Sequence, residues 1–83
     1  MFLHLGGDFS VRAGDVISVH EYEFLMGSQV GQEFLKGAKN RMEDVSDGKP
    51  KSVVVTDHKI YFSKLSPGTL KKRVEDFWYD IAL

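Results

Sequence analysis

Eighty-three residues make one domain, and a chain this short hides only about 60 to 65% of its unfolded surface when it folds alone, so burial between copies would add to its stability. Hydrophobic residues at 42% and aromatics at 12% exclude a disordered tail, and the lack of cysteine excludes disulfides and thiolate metal sites. The net charge of −1 conceals a polarity: residues 46–73 hold seven Lys or Arg against two acids, or +5, and the remainder holds four against ten, or −6. Clustered cations attract polyanions even where the total charge is near zero.

Phe2 and His4 alternate with Leu3 and Leu5, the period of a short opening strand, and Gly6-Gly7-Asp8 stops it with a turn that needs positive φ. The same first residues lack a basic n-region and a long apolar run, and no stretch approaches the ~20 apolar residues that span a bilayer. The expectation is a cytoplasmic chain with no membrane partner. Phe9 to Val11 extends the strand after a kink. A second strand follows from Val16 to Tyr22, rich in β-branched residues, with a tail in which His20, Tyr22 and Phe24 alternate with Glu21 and Glu23.

Beyond Gly27 the period changes. Val30, Phe34, Leu35 and Ala38 share one helical face, with Ser28 as N-cap and Asn40 at the end. A third strand, Met42 to Val45, runs into a turn centred on Asp47-Gly48. Three consecutive valines, Val53 to Val55, lack alternation and mark a strand covered on both faces, and Asp57-His58 connects it as a hairpin to Ile60, Tyr61 and Phe62. Ser66 caps and Pro67 opens a second helix, whose apolar face is Leu70, Val74, Phe77, Trp78 and Ile81. The order ββαβββα defines an α+β domain over residues 1–83: a small, mainly antiparallel sheet with two amphipathic helices.

No catalytic constellation emerges. His20 and Glu21 are strand neighbours pointing to opposite faces, while His4 and His58 have no partner at a ligand spacing, so no metal is expected. The serines lack a nucleophile elbow, and no Gly-rich loop ends in Lys-Ser or Lys-Thr. The expectation is a non-enzyme with no cofactor and no small-molecule substrate. The second helix carries Lys71, Lys72 and Arg73 near its start and Glu75 and Asp76 further on, the reverse of what the helix dipole favours. Lys71 with Glu75 and Lys72 with Asp76 return only a few tenths of a kcal/mol as i, i+4 pairs. A solvated face and an anion-binding cluster explain the basic run equally on charge alone. Tyr61 between Lys59 and Ser63 covers the core edge or an oligomer contact more readily than it stacks on a base.

The blocks FLHLGGD at 2–8, DVISV at 15–19, GKPKSVVVT at 48–56, IYFSKLSP at 60–67 and TLKKR at 69–73 resemble the RemA/RemB family of small bacterial regulators of extracellular-matrix genes, on the RemB side. The resemblance implies a transcriptional regulator of biofilm matrix production that lacks a helix-turn-helix, assembles as a homo-oligomeric ring and binds DNA through basic residues displayed around it. Members of the RemA type carry an arginine before the second strand and a Gly-Arg-Arg-Thr-Arg turn before the valine strand. Here those places hold Arg12, slightly upstream, and Gly48-Lys49-Pro50-Lys51-Ser52. Lysine is a point charge without arginine's bidentate fork. The expected DNA-binding set is Arg12, Lys49, Lys51, Lys71, Lys72 and Arg73, with self-association supplying avidity. The competing expectation is an interaction module that modulates another regulator without touching DNA, through its acidic Glu21/Glu23 face.

Overall fold

The computed structural model describes residues 1–82, and the side chains of residues 1–79. The chain opens as a hairpin in which β1 (Phe2–Gly6) pairs antiparallel with β2 (Phe9–Arg12). Phe9–Val11 is thus the partner of the first strand and does not prolong it. Gly6 at φ 125° and Gly7 at φ 56° reverse the chain where a residue with a Cβ would be strained.

A 3-10 turn at Ala13–Asp15 leads into β3 (Val16–Glu21), which gives way to a short helix, α1 (Tyr22–Met26). The expected strand tail is therefore wrong from Tyr22 onward. Tyr22 and Leu25, three apart, both pack on the core, whereas Phe24 is 75% exposed, and over so few residues an aromatic–acidic alternation fits one helical turn equally well. Helix α2 (Gln29–Gly37) begins as read: the Gly31 N–H donates to Ser28 Oγ at 3.2 Å. A second 3-10 turn, Lys39–Arg41, precedes β4 (Met42–Asp44), followed by β5 (Ser52–Thr56), β6 (Ile60–Ser63) and α3 (Pro67–Ala82). Ser66 Oγ accepts the Thr69 N–H at 3.2 Å, the cap of α3.

The larger sheet has the order β3-β5-β6-β4, with β4 parallel to β6 and the other neighbours antiparallel. The valine strand β5 lies inside it, and Val53 and Val54 are both fully buried, which is why their sequence shows no alternation. Val19, Val54 and Tyr61 face the layer made by Leu70 and Val74 of α3 and by Leu3, Leu5 and Val11 of the hairpin; Val53 and Ile60 face Leu35 and Ala38. Ser63 fastens the two sheets, its buried hydroxyl donating to the Leu5 carbonyl at 2.5 Å.

Three packing details decide what the surface offers. Tyr61 is core, with its ring 5.1 Å from that of Phe9, so it offers no surface for an oligomer contact or a base. Val30 and Phe34 are 76% and 43% exposed although they share an apolar stripe with the buried Leu35 and Ala38, because the sheet covers only half the width of that stripe. On α3, Leu70 and Val74 are buried and Trp78 is 41% exposed; Ile81 lies outside the described side chains.

Candidate functional site

Strands β4 and β5 are not neighbours, since β6 lies between them, so residues 45–51 must arch over the end of β6. The arch is clamped at both feet: the Val45 N–H donates to the Phe62 carbonyl at 2.9 Å and the Lys51 N–H to the Ser63 carbonyl at 2.8 Å. At its crown the Lys49 N–H donates to the Ser46 carbonyl at 3.2 Å, with Asp47 at φ 57° and Gly48 at φ 78°, the two left-handed residues of a type I′ turn. Buried Ser46 directs its N–H, at 2.8 Å, and its O–H to one Asp44 carboxylate oxygen. The Ser46 hydroxyl first, and its amide second, hold Asp44 below its ordinary 3.8, so this acid is committed to the turn.

Three lysines share the cleft at the arch. Lys49, Lys51 and Lys64, with Ser46 and Asp47, line an open cleft of about 440 Å³. Lys64 was not among the expected site residues. No motif signals it, because it leaves β6 at the one point where the arch crosses. Its alkyl stem runs over the first hairpin turn, where a Cβ at Gly6 would stand 3.2 Å from Lys64 Cγ and Cε. Lys64 Nζ lies 3.7 Å from Asp47 Oδ2.

The other expected residues fall elsewhere. Arg12 is exposed at the far end of β2, roughly 10 Å along the strand from the turn that supports Lys64. Lys71, Lys72 and Arg73 are exposed and start more than a turn past the Ser66 cap, so the free N–H groups at the start of α3 do not accompany them. Their expected pairs with Glu75 and Asp76 do not close; among the described residues the ion pairs are His58–Asp57, Lys59–Glu43 and Lys64–Asp47. Lys71 borders β3 at Ile17, Ser18 and Val19. Burial, and secondarily the charge of Lys71, lower the pKa of His20 from its ordinary 6.5, and its Nε2 lies 2.9 Å from Ser18 Oγ. His58 does have neighbours that spacing could not reveal: the Asp57 N–H donates to the Asp15 carbonyl at 3.2 Å, and this gathers the Asp15, Asp57 and His58 side chains within 4.8 Å at the surface.

A second surface is apolar. Ile17 on edge strand β3, Phe24, Val30 and Phe34 stand exposed around a groove of about 550 Å³ floored by Leu25 and Val55.

Fold and surface together define a small α+β domain, with a cationic arch at one end of its sheet and an apolar groove along the edge strand. The chain belongs to the RemA-like family, described as extracellular matrix regulatory protein A-like, whose model matches residues 2–74. It is also similar to extracellular matrix regulatory protein B of Bacillus subtilis (strain 168), with 42% identity over 81 residues and 98% of each chain covered. The description of the family is that of a regulatory protein. Among the described residues no helix is long and apolar enough to cross a membrane.

Proposed function

We propose that this chain is a non-enzymatic transcriptional regulator of extracellular-matrix (biofilm) genes, acting in the cytoplasm as a homo-oligomer that contacts the DNA backbone. The observation that carries the reading is the arch, which sets Lys49 and Lys51 around an open cleft on a clamped turn. Lysines fixed in this way suit phosphate oxygens, and they neutralise backbone charge without reading bases. Arg12 and the Lys71-Lys72-Arg73 run add to the field as peripheral contacts. One arch is a weak site, and several copies on one assembly multiply it through effective concentration. The apolar groove beside β3 supports self-association, since burying Phe24, Val30 and Phe34 removes apolar surface that the monomer leaves wet.

The second reading, a module that modulates another regulator without touching DNA, draws on the exposed Glu21 and Glu23. These acids border a cleft that also contains Lys51, which weakens any clean acidic face. Gel shifts on a long duplex, paired with mass measurement in solution, test the reading. Binding at about 50 mM salt by an assembly larger than one chain, lost when Lys49 and Lys51 become Ala, is the expected result. A monomer that leaves the duplex unshifted at that salt contradicts it.

A further inference from the structure

We propose that Lys64 is a third phosphate-contacting residue of the arch and that Asp47 is its built-in competitor, a carboxylate that occupies the anion position until a phosphate displaces it. This rests on the DNA-backbone reading for its biological ligand, but the shared chemistry is that of any phosphate group.

The geometry is specific. Lys64 is braced, because its stem lies against the Gly6 backbone and a Cβ there would crowd it at 3.2 Å. Asp47 owes its position to the left-handed backbone of the turn, φ 57°, which swings its carboxylate to 3.7 Å from Lys64 Nζ within the cleft that Lys49 and Lys51 also line. Asp47 does no structural work there: its side chain is 87% exposed, and the hydrogen bonds that hold the turn come from Asp44 and Ser46. An exposed pair of this kind contributes little to stability. Its effect on an incoming anion is larger, since it occupies one of three cations and opposes the phosphate with a like charge. At about 6 Å in water that repulsion amounts to about a threefold change in affinity for each engaged site.

Asp47→Asn is the direct test, since Asn accepts positive φ, with Asp47→Gly as a second variant that keeps the turn by another route. Each is titrated with inorganic pyrophosphate, followed by amide shifts at Gly48, Lys49 and Lys64, and with a fluorescent duplex, followed by anisotropy. Both variants should bind each probe at least about threefold more tightly than wild type per site, and the gain should be smaller in a Lys64→Gln background, where only the like-charge repulsion is relieved and no cation is freed. A gain on pyrophosphate with no duplex binding by any protein supports the competitor and removes the DNA reading. Unchanged or weaker binding of both probes, a gain undiminished by Lys64→Gln, or no binding of either probe overturns the proposal.

Discussion

Two buried serines face each other across β5 and β6 and differ in one respect. Ser63 donates to the Leu5 carbonyl and accepts the Leu65 N–H at 3.1 Å, whereas Ser52 Oγ, in register with it, is buried without a partner. Ser63→Ala orphans a carbonyl and an amide and should cost about 1–3 kcal/mol, while Ser52→Ala removes a desolvated hydroxyl and should be neutral or stabilising by up to about 1 kcal/mol. Urea melts of the two variants check the contrast. Asp44 supplies a pH dependence of known sign. Its folded pKa lies below the ordinary 3.8 because of Ser46, so the stability it contributes is fully present above 3.8 and is lost as pH falls through the lower folded value. Melting curves of wild type and Asp44→Asn should differ by a constant amount above that point and converge below it; a gap that widens on acidification contradicts the assignment. Neither serine's role was legible in the sequence, because what separates them, the Leu5 carbonyl that Ser63 reaches, lies on β1 and meets β6 only where the two sheets pack together.

At the scale of elements, the residues that carry strong local chemistry were legible. Ser28 and Ser66 cap where a cap was expected, the Asp47-Gly48 turn has the left-handed pair that its sequence demands, and the unalternating valines mark the inner strand. What failed was the hairpin partner of β1, the helical turn at Tyr22, where the short alternation fits a helical turn as well as a strand, and the exposed half of the α2 stripe, which the sheet leaves uncovered. Among the glycines the tightest is Gly31, where a Cβ would fall 2.1 Å from the Leu25 carbonyl oxygen across the α1–α2 contact. Gly31→Ala should therefore force α1 away from α2 and destabilise by about 1–3 kcal/mol. Hydrogen exchange should show the opening confined to residues 22–37, with β5 and β6 still protected. A variant as stable as wild type would mean that the two helices are not in contact there.

For the whole molecule, two surfaces stand apart. The arch and its lysines sit where β6 leaves the larger sheet, and the apolar groove runs beside β3 at the opposite edge from β4. Lys49 and Lys51 were legible as a basic turn; Lys64 was not, since only the crossing of the arch over β6 puts it beside them. If the groove is the contact between copies, Phe34→Glu and Val30→Glu should reduce the mass in solution to that of the 9.4 kDa chain, and Val30→Glu should leave its melting temperature near that of the equally dissociated wild type, because Val30 is 76% exposed. Sedimentation at several concentrations reads this directly, and an undiminished assembly in both variants would place the contact elsewhere.

The central claim is that the arch neutralises DNA phosphates, and the slope of log K against log salt tests it most directly. Each phosphate contact removed from an engaged subunit flattens that slope by about 0.9, irrespective of duplex sequence. The account predicts that Lys49→Ala with Lys51→Ala gives a clearly shallower slope than wild type, by about 1.8 per engaged subunit, at unchanged oligomer mass. Parallel plots for wild type and this double variant would contradict it.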